Sequence, residues 1–320
     1  VPHAALPYVA VAAAACSWGT WALVLHHAEG IAPMPATLET TVVMAVMTLV
    51  SWLTARFDRV DRPAPTTAKM GIAWLGISDG LNVVLYFAAV RLSITIAVLV
   101  HYLTPVLVAV ASPVALRERL TLRTAFAVAV SLLGLGLMLA RSPDPNSAGA
   151  MWRCAILAAA SAVFYASNVI VNKLVAEPFS PSEVMFWHGV VATPFLAALV
   201  PRAAWHALSV HAVAFLGLVA VGPGALAGIG FVWGLRRMPA AHASTLTLLE
   251  PLVAVTLGAL VFEETLTARL FVGGLLILTG SLLVVTQADP GPRGQDPTAK
   301  GGGGGRGRRR RRTSSAATSA

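Results

Sequence analysis

The chain contains itself twice. The stretch RLSITIAVLVHYLTPVLVAVASPVALRERLTLR, beginning at Arg91, and the stretch RMPAAHASTLTLLEPLVAVTLGALVFEETLTAR, beginning at Arg237, superpose without a gap. Arg91 falls on Arg237, Leu103 on Leu249, Pro105 on Pro251, Glu118 on Glu264, Leu120 on Leu266, Thr121 on Thr267 and Arg123 on Arg269; further along, Gly134 falls on Gly280. Both copies are apolar runs of membrane length. A duplicated hydrophobic helical unit is the architecture of secondary transporters, whose substrate sites lie between the repeats.

Composition agrees. The chain is 57% hydrophobic and only 12% charged, with mean hydropathy +0.74, against roughly 25% charged residues in a soluble domain. The few charges sit between long apolar runs, as in a polytopic membrane protein, and no period-2 pattern suggests a β-barrel. Net charge is +9, but most of the excess lies at Arg306 and Arg308–Arg312, which argues against a nucleic-acid-binding body. Cys16 and Cys154 lie in or beside apolar runs, so a disulfide framework is not expected. The segment AVAAAACSWG resembles a signal cleavage site at Cys16, but no Lys or Arg precedes it and the apolar run resumes through Leu25. It reads as a retained first membrane helix.

A spanning helix needs about 20 mostly apolar residues, which gives about ten spans. They are Tyr8–Leu25, Thr37–Leu53, Met70–Val90, Ile94–Leu116, Leu122–Ala140, Met151–Val171, Glu183–Val200, Val210–Leu235, Ala240–Phe262 and Leu270–Thr286. With the N-terminus in the cytoplasm, the cytoplasmic loops hold Arg56, Arg59, Arg62, Lys69, Arg117, Arg119, Arg123, Lys173, Arg236 and Arg237. The opposite side holds only Arg91, Arg141, Arg153, Arg202 and Arg269. This asymmetry follows the positive-inside rule and places both termini in the cytoplasm. The expected fold is an all-α membrane protein whose two five-helix repeats are inverted, since an odd number of spans turns the second over. The repeats are residues 7–140 and 150–286. The link 141–149, RSPDPNSAG, joins them, and 287–320 reads as a disordered basic tail. The Arg run is expected to skim an anionic leaflet; nucleic-acid binding is the weaker alternative, because the run lacks stacking aromatics.

From Leu248 to Val284, LLEPLVAVTLGALVFEETLTARLFVGGLLILTGSLLV is similar to the second-half signature of the EamA family of the drug/metabolite transporter superfamily. LTPVLVAVASPVALRERLTLRTAFAVAVSLLGLGL, Leu103 to Leu137, is its first-half match, and the resemblance covers about Pro7 to Thr286. It implies ten helices, inverted five-helix repeats, no nucleotide hydrolysis and, commonly, export of small organic solutes. Members often carry a basic residue early in the second helix of each repeat. Here Glu39 and Thr40 stand there in the first half and His188 in the second, and Thr104 replaces the Glu of the Glu-Pro pair.

Glu250 is the sharpest candidate for chemistry. A carboxylate inside the bilayer costs roughly 2.5–3.5 kcal/mol on insertion scales, so it usually faces a cavity or a partner. A carboxylate out of water holds its proton more readily, which suits a proton-coupled step, and Pro251 loosens the helix beside it. The alternative is a brace in helix packing. Asp79, Asn82 and Tyr86 share one helical face, as do Ser161, Tyr165, Asn168 and Asn172. Each stripe can line a hydrated cavity or simply bond helix to helix. His101 and Thr104 are the repeat equivalents of Thr247 and Glu250, and His101 is a candidate proton carrier or a packed histidine. Trp18 is a candidate apolar wall; Trp52, Trp205 and Trp233 read as interfacial anchors, and His188 and His242 as interfacial histidines near helix ends. Glu118 and Glu264 suggest capping or gating contacts, and Pro105, Gly134 and Gly280 packing devices. No Walker loop, HExxH, GxSxG or CxxC occurs, so no enzyme, cofactor or metal is expected. The leading reading is a secondary exporter of small metabolites or drugs in an inner membrane, proton-coupled or facilitative. Uptake or exchange, and a non-transporting membrane sensor or scaffold, are the alternatives.

Overall fold

A computed structural model describes residues 5–139, 148–206, 208–261 and 268–286, and every regular element among them is helical. The helices are α1 (Leu6–Trp18), α2 (Trp21–Ile31), α3 (Ala36–Asp58), α4 (Thr66–Val90), α5 (Ile94–His101), α6 (Thr104–Ala115), α7 (Leu122–Leu139) and α8 (Ala148–Leu174). Then come α9 (Pro181–Ala198), α10 (Arg202–His206), α11 (Val210–Val219), a π-helical segment (Ala220–Leu226), α12 (Ala227–Leu235), α13 (Ala240–Leu246), α14 (Leu249–Val261) and α15 (Ala268–Val285). The link's residues 141–147, Glu264 and Thr267, and the tail from Gln287 lie outside the described residues.

Seven stretches are long and apolar enough to cross a membrane: Leu6–Ile31, Ala36–Asp58, Thr66–Val90, Ile96–Ala115, Trp152–Leu174, Val210–Leu235 and Ala240–Gly258. The chain is thus an all-helical, multi-pass membrane protein. Fewer segments meet this criterion than the ten spans expected. Leu122–Leu137 and Phe271–Val285 are apolar but shorter, and α9 carries Glu183, His188, Pro181 and Pro194 in its 18 residues. Helices also overrun the expected spans. α3 continues to Asp58 because polar residues can extend a helix beyond the hydrocarbon at no desolvation cost.

Local sequence sets the starts. Ser180 caps α9 in a reciprocal box, its hydroxyl accepting from Glu183 N at 3.0 Å while Glu183 Oε2 accepts from Ser180 N at 2.9 Å. Pro35, Pro65 and Pro239 precede α3, α4 and α13 in extended conformation.

The packing follows the duplication. α1 packs on α12, and its counterpart α8 packs on α4. α5 and α6 pack on α8 as α13 and α14 pack on α1; α3 pairs with α9, and α7 with α15. Large apolar side chains point outward, Phe57 at 92% exposed and Leu122 at 91%, while the interior is rich in Ala, Ser, Thr and Gly. This arrangement suits a lipid solvent, where helices associate by close packing of small residues rather than by burying oil. The tightest case joins the sequence-equivalent glycines. A Cβ on Gly134 would lie 2.5 Å from Gly273 O, and one on Gly280 would strike Ser131 and lie 2.6 Å from Ala127 O. Gly280→Leu is expected to separate α7 from α15 and cost about 1–3 kcal/mol or more by overpacking. A lowered melting temperature of the detergent-purified protein checks this; an unchanged value contradicts it.

Candidate solute site at the helix breaks

The two repeats interrupt a helix at the same place. α5 stops at His101 and α6 restarts at Thr104; α13 stops at Leu246 and α14 restarts at Leu249. Pro105 and Pro251 cause both breaks, since neither has an N–H to bond the carbonyl four residues back. The freed groups are re-satisfied locally. His101 O accepts from Thr104 Oγ1 at 2.7 Å, and Thr247 O accepts from Glu250 N at 3.0 Å. A third break, at Gly19–Thr20 between α1 and α2, packs directly on the second. A Cβ on Gly19 would lie 2.6 Å from Glu250 O, so only glycine lets α1 approach.

Glu250 therefore sits in the first turn of a half-helix, where the dipole favours a negative charge. It is neither fully buried nor exposed, and no Lys, Arg or His among the described residues pairs with it. The buried Tyr102 interacts with it electrostatically. Tyr86 and Tyr165 are close enough to feel its charge. These three tyrosines surround His101: the Tyr86 ring is 4.6 Å away, Tyr102 meets it edge-on at 5.2 Å, and Tyr165 stacks on it at 5.3 Å. His101 Nδ1 lies 2.9 Å from Ser161 Oγ, whose hydroxyl is directed to Asn82 Oδ1 at 2.7 Å. Thr104 and Thr247 are buried beside the breaks, and Trp18 packs on Phe231 with centroids 5.0 Å apart.

A second cluster lies nearby on α4, α8 and α9. Asp79 Oδ2 is 3.1 Å from His188 Nε2, and Asn168 Nδ2 donates to Asp79 Oδ1 at 3.3 Å. Ser78 donates to Asn168 Oδ1. Tyr165 lies one turn before Asn168 on α8, so the two clusters adjoin along that helix. Both histidines read from sequence as interfacial have partners on other helices. His188 lies within α9, paired with Asp79 and mostly buried. His242 is 5% exposed and bridges Tyr8 OH, at 2.9 Å, to Thr124 Oγ1, at 3.0 Å. Their neighbours on other helices cover them, which position along one helix does not reveal.

Glu118, read from sequence as a capping or gating contact, takes part in a lock at the end of the bundle where α3, α6, α8 and α12 finish, and its pairing with Lys173 is not legible in the sequence. Lys173 pairs with Glu118 and donates to Met238 O at 2.6 Å, while Ala240 N donates to Glu118 Oε2 at 2.7 Å. Arg117, with φ 57°, turns the chain after α6 immediately before Glu118. Alongside, Ser180 Oγ donates to Asp58 at 3.0 Å, Val60 N to Glu183 at 3.2 Å, and Arg236 Nη1 to Phe179 O at 2.7 Å. Burial, then Arg237, lower the Arg236 guanidinium to about 10, leaving it charged at neutral pH. Arg56 lies over Trp52, 3.8 Å from the ring centroid, and Arg237 over Trp233 at 4.2 Å, an arrangement suited to interfacial anchoring. Among the described residues no group of three His, Cys, Asp or Glu side chains could hold a metal ion.

The EamA-like transporter family model matches residues 5–140 and again 152–286. A protein of Archaeoglobus fulgidus described as an uncharacterized transporter is 28% identical over 226 residues, covering 70% of this chain and 78% of its own. The uncharacterized transporter YoaV of Bacillus subtilis is 26% identical over 187 residues, 56% of this chain and 62% of its own. A protein solved by crystallography superposes with TM-score 0.70 at 20% identity, over 88% of this chain and 99% of that one; at that identity the likeness is one of fold.

Proposed function

This chain belongs to the EamA-like transporter family, and from that premise we propose that it is a secondary transporter that exports a small organic solute across the inner membrane by alternating access. The observation that carries the reading is the pair of helix breaks at matching positions of the two repeats. One places a carboxylate with no ion-pair partner among the described residues, Glu250, at the start of a half-helix inside the bundle, as carriers place residues at their midplane sites. Trp18, Asp79, Asn82, Tyr86, His101, Thr104, Tyr165, Asn168, Thr247 and Glu250 are the candidate lining, contributed by both repeats.

In this reading the shorter helices α7, α9 and α15 complete ten spans, arranged as inverted repeats 7–140 and 150–286. Supporting it, the helix pairings are preserved when the repeats are exchanged. Both termini then face the cytoplasm, on the loop-charge argument, and the Lys173–Glu118 lock closes the cytoplasmic end. Protons are the proposed coupling ion, taken up at Glu250 or at the Asp79–His188 pair. The family assignment favours transport over the sensor and the enzyme readings.

The test is flux of labelled amines, amino acids and nucleosides in proteoliposomes, with and without a pH gradient. A solute whose flux needs the protein and responds to the gradient supports proton-coupled transport. Flux indifferent to the gradient removes the coupling, and no flux for any solute removes the function. In the same assay, truncation after Gln287 is expected to leave flux within about twofold, because the family match ends at residue 286 and a basic segment near an anionic leaflet contributes only surface attraction, about 1 kcal/mol per basic residue. Loss of flux from correctly inserted truncated protein contradicts this.

A further inference from the structure

We infer that the site around Glu250 takes a monovalent organic cation, an ammonium group carried on an aromatic or otherwise apolar body. The inference rests on the transporter reading and narrows its solute.

Charge comes first. Asp79 has its own partner in His188 at 3.1 Å, whereas no Lys, Arg or His among the described residues pairs with Glu250. The dipole of α14 is equivalent to about half a positive charge, so the ionised site remains net negative. A visiting cation completes it. The walls fit the rest of such a solute. Tyr86, Tyr165 and Trp18 are each partly accessible, and aromatic faces attract quaternary and alkyl ammonium groups. Tyr102 packs edge-on against His101 at 5.2 Å and closes the aromatic cluster.

The same geometry disfavours other solutes. A zwitterion would bring a carboxylate that needs a donor of positive charge, but His188 is committed to Asp79 and His101 to Ser161. Lys173 is held by Glu118 and Met238 O, and Arg236, which donates to Phe179 O, lies with it at the end of the bundle rather than at the break. A hard divalent ion wants six or more oxygen ligands, and the described residues offer no cluster of acidic side chains to supply them.

The experiment measures binding by isothermal titration to the purified full-length protein, using four probes that share a phenethyl body: phenethyltrimethylammonium (cation), phenylalanine (zwitterion), phenethyl alcohol (neutral) and 3-phenylpropanoate (anion). The quaternary ammonium has no proton to lose, so its charge is constant. The expected result is that the cation binds at least about tenfold more tightly than each of the others. Glu250→Gln removes that preference, and Glu39→Gln, which neutralises another buried carboxylate, retains it. Equal binding of cation and alcohol, tighter binding of phenylalanine, no binding of the cation, or a preference that survives Glu250→Gln in a monodisperse protein each overturns the inference. Should Glu250→Gln fail to fold, the wild-type charge series still decides. The two readings fail separately. Flux of a solute without cation preference leaves the transporter standing and removes this inference; cation-selective binding with no flux of any solute does the reverse.

Discussion

Glu250→Gln is expected to cut solute flux by about tenfold or more, the equivalent of roughly 1.4 kcal/mol, while leaving the amount of folded protein in the membrane nearly unchanged. The substitution keeps the size of the side chain and an oxygen that can accept a hydrogen bond, so packing at the break is preserved. It removes the charge, and with it both proposed uses of the residue, attraction of a solute and carriage of a proton. The assay is initial flux per folded transporter, with melting temperature measured on the same preparation. Normal flux would reduce Glu250 to a structural brace for the α1–α14 contact at Gly19.

The second large effect is expected at the lock. Lys173 and Glu118 are only 14% and 18% exposed, and they hold together α8, the turn after α6 and the start of α13. Removing one partner of a fully buried pair costs roughly 3–5 kcal/mol. Partial solvent access reduces this to about 1–3 kcal/mol, a shift of about 5–150-fold between closed and open forms. Lys173→Met should therefore speed thiol labelling of a cysteine placed at Ser244, which is fully buried in α13, from the side of the lock. Lys173→Arg, which keeps a cationic donor for Glu118 and Met238 O, should retain slow labelling. Unchanged labelling in the single variant would mean that the lock does not govern access at that end.

Much of this was legible in the sequence for physical reasons. Apolar runs of about 20 residues have few alternatives to a spanning helix, and the duplication placed Pro105 and Pro251 in register before any contact was known. The stripe Asp79, Asn82, Tyr86 faces the stripe Ser161, Tyr165, Asn168 because 3.6-residue periodicity aligns them, and bonds such as Ser161 to Asn82 close the gap. Rotation and neighbour identity were not legible. His188 meets Asp79 across α4 and α9, a pairing that depends on how two helices are turned toward each other. Lys173 entered the loop-charge argument as a cytoplasmic charge and proved to be an internal partner of Glu118. Tyr102, unremarkable within an apolar run, became the neighbour of Glu250 only once two broken helices met. The spans also differ from the uniform rods that hydropathy suggests, because Gly19, Pro105 and Pro251 interrupt three of them and the π-helical segment around Pro223 widens a fourth.

Entrance counterflow tests the central claim most directly. Proteoliposomes are loaded with an unlabelled solute that the protein binds and are then diluted into a trace of the same solute in labelled form. A carrier with one site exposed alternately to each side exchanges inside for outside molecules, so the label should accumulate transiently above its equilibrium level, and Glu250→Gln should flatten the overshoot. Label that rises only to equilibrium, or enters equally well without the protein, would contradict an alternating-access site at these helix breaks.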